Sequence, residues 1–489
     1  MKFLFLAIAV IFCWACSPSQ PSDQAAEAPE QPNILFIAVD DLRPEINSFG
    51  VAGIKTPNLD KLAATGLIFT RAYCNIPVCG ASRASLLTGT RPTRNNFLGY
   101  DTWADKDLPD NLTLPEYFRQ NGYHTISNGK IFHHGGDGEG SWTEKVWHPS
   151  HEDTLNNWRD YRSPENIALS LQNEGRGPAW EKSEVADEDY YDGKTARKTI
   201  DDLRRLKKEG KPFFLAAGFL KPHLPFNAPS KYWDHYNPAE IGLAPNPERN
   251  ENVPEAAYHN FGELRGYTNI PRKGPLPDSL ALKTRHGYYA ATSYVDAQIG
   301  KVLDELEALD LYDNTIVILW GDHGWNLGEH GLWCKHCNFN TSLNAPIMLR
   351  VPWKQGGQKT QALTEFVDIY PTLCELANLP LPSHLDGKSF TPLLDDPDQS
   401  IKNEVISKYF NGVSIRTNQY LYTEWLDQQG NVYARMLFDH DKDPQENVNL
   451  AEDEAYQEMV IKLSQQMRDN WGKNFFDTLE VKSTALLSK

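Results

Sequence analysis

The chain has 489 residues, of which 40% are apolar and 23% charged, with 33 glycines and 32 prolines. That composition suits one large buried core with a smaller companion, and it excludes a disulfide-stapled miniprotein, a coiled coil and a disordered chain. Lys and Arg number 48 against 65 Asp and Glu, a net charge of -17 that repels phosphate backbones and excludes general nucleic-acid binding, so an anionic substrate has to meet a local basic pocket.

Lys2 precedes an apolar run from Phe3 to Ala15 that is too short to span a bilayer and has the size of a signal-peptide core. Residues 1–15 therefore read as an export leader. The run ends Cys13-Trp14-Ala15-Cys16-Ser17, which resembles a bacterial lipobox with Cys16 as the lipidated residue. Such a protein belongs to the bacterial cell envelope, in the periplasm or on the outer membrane, and touches the membrane only through its lipid; plain secretion is the alternative. Residues 16–32 are rich in Pro, Ala, Gln and Glu and read as a tether, with folding expected to begin near Asn33.

Four apolar, β-rich stretches each end in polar residues with chemical potential. Asn33 to Val39 precedes Asp40-Asp41, Tyr123 to Ser127 precedes Gly129-Lys130, Pro212 to Phe219 precedes Lys221-Pro222-His223, and Thr315 to Trp320 precedes Gly321-Asp322-His323. Continuous apolar runs of this length predict strands of a mostly parallel sheet buried on both faces. Sites in open α/β sheets lie beyond the carboxyl ends of the strands, so the four polar clusters are expected to converge on one site. Helices alternate with these strands. Tyr288, Ala291, Val295, Ile299, Val302, Leu306 and Leu309 form one stripe, and Leu59 to Leu67, after Thr56-Pro57, forms another. Two long stretches, from Gly135 to Asp187 and from Pro229 to Thr284, are rich in Pro, Asn, Trp, Tyr and Gly without a sustained period, and are expected to build functional rims.

The turn Asp395-Asp396-Pro397-Asp398 marks a boundary between a catalytic region at 33–395 and a C-terminal subdomain at 396–489. Beyond it, Glu404 to Phe410, Gly412 to Ile415, Tyr420 to Trp425 and Tyr433 to Phe438 predict a small antiparallel sheet, closed by a helix from about Glu452 to Trp471. The expected fold class is α/β, a large mixed and mostly parallel sheet flanked by helices, with a smaller antiparallel sheet plus helix behind it. Five cysteines follow Cys16, namely Cys74, Cys79, Cys334, Cys337 and Cys374, an odd number that leaves at least one thiol unpaired or altered. Cys334-Lys335-His336-Cys337 has CxxC spacing but no second ligand pair, so a local disulfide or two buried thiols is expected there rather than zinc.

Asp40, Asp41 and Asp322 bring three carboxylates to strand ends, and hard anionic oxygens gathered in one place favour a divalent cation, calcium first; His323 keeps manganese or zinc open. Arg83, Lys130 and Lys335 are the candidate cationic side chains for an anionic ester, and His133 and His223 the candidate proton carriers, because imidazole titrates near neutrality. His124, His134 and His330 lack such support and read as structural. Trp142, Trp147, Tyr232 and Trp233 pack in the core by default, with stacking on a sugar as the alternative.

The run Cys79-Gly80-Ala81-Ser82-Arg83, followed by Leu86-Leu87-Thr88-Gly89-Thr90-Arg91-Pro92, resembles the signature of the formylglycine-dependent (type I) sulfatases, of the alkaline-phosphatase-like superfamily. Thr56-Pro57-Asn58-Leu59-Asp60, Gly328-Glu329-His330-Gly331 and Val367-Asp368-Ile369-Tyr370-Pro371 extend the likeness over Pro32 to Leu450. Gly129-Lys130-Ile131-Phe132-His133, Lys221-Pro222-His223 and Asp322-His323 resemble the iduronate-2-sulfatase branch; Ala81 departs from it, standing where the motif usually has Pro. The resemblance implies that a maturation enzyme oxidises Cys79 to formylglycine (3-oxoalanine). Its hydrate attacks sulfur beside one calcium ion bound by Asp40, Asp41, residue 79, Asp322 and His323. It also implies that Arg83 holds the product, that Lys130 helps to cancel charge, that His133 assists breakdown of the sulfated hydrate, and that His223 with Lys335 helps the sugar oxygen leave. The implied partner is a sulfated oligosaccharide or polysaccharide bearing a 2-O-sulfated uronic acid or related sugar, from a glycosaminoglycan or an algal polysaccharide such as ulvan. Two rivals stand beside this expectation: a phosphomonoesterase or phosphonate esterase of the same superfamily, and a non-catalytic sulfated-glycan-binding protein in which Cys79 stays unmodified.

Overall fold

The computed structural model describes residues 29–151 and 158–471, so the leader and most of the tether, including Cys16, lie outside the described residues. Seven strands form the main sheet: β1 (Asn33–Val39), β2 (Leu67–Phe69), β3 (His124–Gly129), β4 (Phe213–Phe219), β5 (Thr315–Gly321), β6 (Ile347–Arg350) and β7 (Gln358–Thr360). Their order is β7-β2-β6-β5-β1-β4-β3. The four strands expected from the sequence are neighbours and run parallel, while β6 is antiparallel to both β5 and β2. All seven residues of β1, β4 and β5 are buried, which is why these strands read as unbroken apolar runs.

Side chains of β1 alternate between two cores. Ile34, Phe36 and Ala38 pack on one face with Ala81, Ala84, Leu86 and Leu87 of helix α2 (Cys79–Thr88). Leu35, Ile37 and Val39 pack on the other, with Leu59 of α1 (Pro57–Thr65), Leu203 of α3 (Tyr191–Glu209), and Val295, Ile299 and Val302 of α5 (Asp278–Ala308). Helix α1 stops at Thr65 and Leu67 opens β2, so the predicted stripe to Leu67 is a helix followed by an edge-side strand. The second long loop carries several short turns of helix, among them Ser230–Trp233 and α4 (Gly262–Arg265).

Register positions the site. Val39 lies opposite both Phe219 and Gly321, and Gly129 opposite Gly218. The ladder continues one residue further, with Asp40 N–H donating to Phe219 O at 3.1 Å, Asp322 N–H to Val39 O at 3.2 Å, and Lys130 N–H to Gly218 O at 3.0 Å. A Cβ on Gly218 would fall 2.0 Å from Lys130 O, so only glycine there lets the chain carrying Lys130 cross so closely.

The C-terminal part is a four-stranded antiparallel sheet, β8 (Glu404–Tyr409), β9 (Gly412–Thr417), β10 (Tyr420–Leu426) and β11 (Val432–Asp439), with α6 (Gln457–Trp471) packed on it. Its first strand is stitched to the segment just ahead of α2: Asn75 Nδ2 donates to Ile406 O at 2.9 Å and Ser407 Oγ to Cys74 O at 2.6 Å. All five cysteines among the described residues are free and buried, so Cys334 and Cys337 are two buried thiols and the alternative of a disulfide is not met. Among the described residues no helix is long and apolar enough to cross a membrane.

Candidate active site

Asp40, Asp41 and Asp322 meet beyond β1 and β5, all with no solvent exposure. Asp41 adopts φ 59°, which turns its N–H onto Asp322 Oδ1 at 2.9 Å, and its carbonyl accepts Tyr288 Oη–H from α5 at 2.9 Å. Burial pushes the Asp41 carboxyl up, against the nearby charges of His223 and Lys335. Burial works the same way on Asp40, but there Lys130, His223 and Arg83 outweigh it and hold the carboxyl well below the usual range.

Helix α2 begins at Cys79, and a Cβ on Gly80 would sit 2.3 Å from Tyr100 O, so the helix start is pressed directly on the backbone of Gly99 and Tyr100. Cys79 Sγ lies 3.3 Å from His323 Nε2 and 3.8 Å from Asp41 Oδ1. Burial and the Asp40 charge push the thiol well up, so the encoded side chain is a neutral thiol and a weak nucleophile.

A cation fits this floor. One donor atom each from Asp40, Asp41, Cys79 and His323 falls within 4.8 Å of the others. Asp40 Oδ1 is buried without a hydrogen-bond partner. His323 Nδ1 sits 2.8 Å from Gly324 O, a group that can only accept, so Nδ1 carries the hydrogen and Nε2 turns its lone pair to the carboxylates. Asp322 borders the group rather than joining it. Its Oδ1 takes the Asp41 N–H, and its Oδ2 takes Arg83 Nε at 2.9 Å.

Arg83 is fully buried beneath the carboxylates: Nη1 donates to the carbonyls of Lys130 (2.5 Å) and Ile131 (3.0 Å), and Nη2 is 3.7 Å from Asp40 Oδ1. Lys130 Nζ donates to Asp40 Oδ2 at 2.5 Å and Lys335 Nζ to Asp41 Oδ1 at 3.0 Å. Burial opposes both ammonium charges; Asp40 outweighs it at Lys130, and Asp41 with Glu263 outweighs it at Lys335, so both are held above the ordinary lysine range.

Above the floor opens a cleft of about 840 Å³, on which Cys79, Lys130, His133, His223 and Lys335 converge. Its upper wall includes Trp158, Arg159 and Arg176 from the first long loop and Glu263 and Tyr267 from the second, so both loops are rims as expected. Trp142, Tyr232 and Trp233 pack in cores instead, and neither they nor Trp147 reach the cleft; of the two roles left open for them, core packing is what Trp142, Tyr232 and Trp233 do. His133 departs from the near-neutral expectation. Burial and the Lys130 charge push its imidazole down to about 2, and its Nδ1 has no partner among the described residues.

Glu263 is the site residue that sequence reasoning misses. Its Oε1 accepts Lys335 Nζ at 2.9 Å and lies 3.2 Å from His223 Nε2. It sits in an aperiodic loop with no motif around it, and the only signal was the length of that loop.

A family model described as Sulfatase matches residues 32–379, and a second, N-sulphoglucosamine sulphohydrolase, C-terminal, matches 328–473. The chain is 30% identical to an iduronate 2-sulfatase of Mus musculus, over 91% of this chain and 95% of that one. It is also 30% identical to a sulfatase of Formosa agariphila, covering 94% of this chain and 90% of its relative. Among solved structures, an enzyme in complex with its substrate D-glucosamine-2-N,6-O-disulfate superposes with a TM-score of 0.73 at 20% identity, over 92% of this chain and 100% of the other.

Proposed function

The chain belongs to the sulfatase family and hydrolyses sulfate esters on sugars, and from that premise we propose that its substrate is a 2-O-sulfated uronic acid or related sugar of a glycosaminoglycan or an algal polysaccharide such as ulvan. Residue 79, once a formylglycine-generating enzyme has oxidised its thiol, would supply the group that attacks sulfur. The observation that carries this assignment is the place of residue 79, at the junction of the carboxylate floor and the cleft, 3.3 Å from His323 Nε2. The likeness to an iduronate 2-sulfatase supports the sugar and the position of its sulfate, and Arg159 and Arg176 on the cleft wall suit the sugar carboxylate.

Asp40, Asp41, His323 and residue 79, with Asp322 beside them, would hold one calcium ion, which neutralises anionic oxygens of the ester. Formylglycine, once hydrated, supplies an oxygen nucleophile that the buried thiol does not. The remaining work belongs to side chains on the page. Lys130 and Lys335 bring positive charge to the sulfate. His223 Nδ1 is 2.6 Å from Leu224 O and so bears a hydrogen, and Nε2, facing the carboxylate of Glu263 at 3.2 Å, is placed to carry the second hydrogen, the one given to the departing sugar oxygen. His133, whose Nδ1 has no hydrogen-bond partner among the described residues, is the base assigned to the expulsion of sulfate; burial and Lys130 hold its imidazole low, and the anionic sulfate beside it would have to raise it for that step. Arg83 fixes Asp322 and Asp40 from below. Export and lipidation at Cys16 complete the assignment, since such polysaccharides lie outside the cytoplasm.

Protein produced alongside a formylglycine-generating enzyme is to be digested and weighed, then assayed on disaccharides sulfated at the uronic 2-position or the glucosamine 6-position, and on matched aryl sulfate and aryl phosphate. A lighter residue-79 peptide and preference for the 2-O-sulfate are expected. Full activity with unmodified Cys79, or a large preference for phosphate, overturns the proposal.

A further inference from the structure

Two side chains assigned to the leaving-group side, Lys335 and His223, meet at one oxygen. Glu263 Oε1 accepts Lys335 Nζ at 2.9 Å and lies 3.2 Å from His223 Nε2. The other hydrogen bonds of Lys335 Nζ go to Asp41 Oδ1 and Oδ2, at 3.0 and 3.2 Å, and it lies 4.9 Å over the Trp325 ring, so the ammonium is slung between the floor and the rim. His223 has less choice: its Nδ1 is committed to Leu224 O, and Nε2 is nearer to Glu263 than to Asp41 Oδ2, which is 3.8 Å away.

We infer that Glu263 is a positioning residue for departure of the sugar, holding Lys335 and His223 at the mouth of the cleft, a role that rests on the proposed assignment of those two residues to the leaving group. In the step they serve, the bond from sulfur to the sugar oxygen breaks and its electron pair stays on that oxygen. The proton of His223 Nε2 goes to the oxygen, and the ring is left neutral. Without Glu263 the Lys335 ammonium and the His223 Nε2–H lose the carboxylate between them and have Asp41 as their shared acceptor, which draws both down onto the floor and away from the leaving oxygen. Glu263 is suited to this post. It comes from the rim, on the one-turn helix α4, and lines the cleft with 21% of its side chain exposed. Its Oε2 has no hydrogen-bond partner among the described residues, so its hydrogen-bonding contacts there are those of Oε1 with these two side chains.

The test uses matured protein, with formylglycine at position 79 verified by mass, and measures kcat and KM for Glu263→Gln, Glu263→Ala and His223→Ala. Substrates are a series of aryl sulfates of graded leaving-group acidity together with a sugar sulfate. Positioning predicts a steeper dependence of kcat on leaving-group acidity in both Glu263 variants, within threefold of wild type for the most activated ester and about 10- to 100-fold below it for the sugar, part of the range general acids supply. Glu263→Gln is expected to retain more activity than Glu263→Ala. An equal loss across the series means a merely structural role and overturns the inference, as does no loss at all. His223→Ala separates the two assignments: if it steepens the series and the Glu263 variants do not, only Glu263 is wrong, and if it does not, the leaving-group assignment itself fails.

Discussion

Replacing Arg83 with Met tests the electrostatic footing of the site. The guanidinium is fully buried, 2.9 Å from Asp322 Oδ2 and 3.7 Å from Asp40 Oδ1, and it also donates to the carbonyls of Lys130 and Ile131. Met fills the stem and supplies no donor. Removing one partner of a buried ion pair costs about 3–5 kcal/mol, and each stripped carbonyl adds about 1 kcal/mol or more. An expected loss of about 5 kcal/mol or more is large beside the ~5–15 kcal/mol that stabilises a typical domain. The assay is urea unfolding followed by tryptophan fluorescence, with chelator and again with excess calcium. Because calcium brings positive charge to the same carboxylates, the loss is expected to shrink when it is present. A variant within about 1 kcal/mol of wild type in chelator, the precision such unfolding data allow, would falsify the claim that these carboxylates depend on Arg83. An identical loss with and without calcium would show that the ion binds elsewhere.

Cys79→Ala is expected to reduce turnover to background while a sulfated sugar still binds by calorimetry; retained turnover removes residue 79 from the chemistry. Gly80→Ala places a Cβ 2.3 Å from Tyr100 O, so it should cost about 1–3 kcal/mol and lower kcat; unfolding curves and kinetics that match wild type contradict the close packing. Glu365, buried between Arg91 and Lys402, reports on the tie between the main sheet and the C-terminal part. Burial opposes its charge, but the two cations outweigh burial and hold the carboxyl at about 2, against an ordinary 4.5. The sign follows: the stabilisation, about 3 kcal/mol, is full above pH 4.5 and disappears as the pH falls towards 2. Glu365→Gln should lower stability at neutral pH and flatten that acid limb, and an unaltered limb counts against the ion pairs.

Much of the architecture was legible beforehand because burial leaves a periodic trace. β1, β4 and β5 are buried on both faces, so each had to be an apolar run, and each run had to end where water or a ligand begins; that alone located Asp40, Asp41, His223 and Asp322 at strand ends. The Cys79 to Arg83 motif was equally readable, since its residues are local to one helix. Tertiary structure decided what depends on distance between remote segments. Asp41 and Asp322 are 281 positions apart, and their 2.9 Å contact exists because β1 and β5 end in register. Arg83 lies beneath the carboxylates, His133 is held neutral by burial and Lys130, Trp158 lines the cleft without having been singled out, and Glu263 reaches Lys335 from a loop without pattern. Hydrophobic periodicity records only whether a side chain is in or out. Which charge faces which, and therefore how each one titrates and what it can bind, is set by the register of the sheet and the path of its loops.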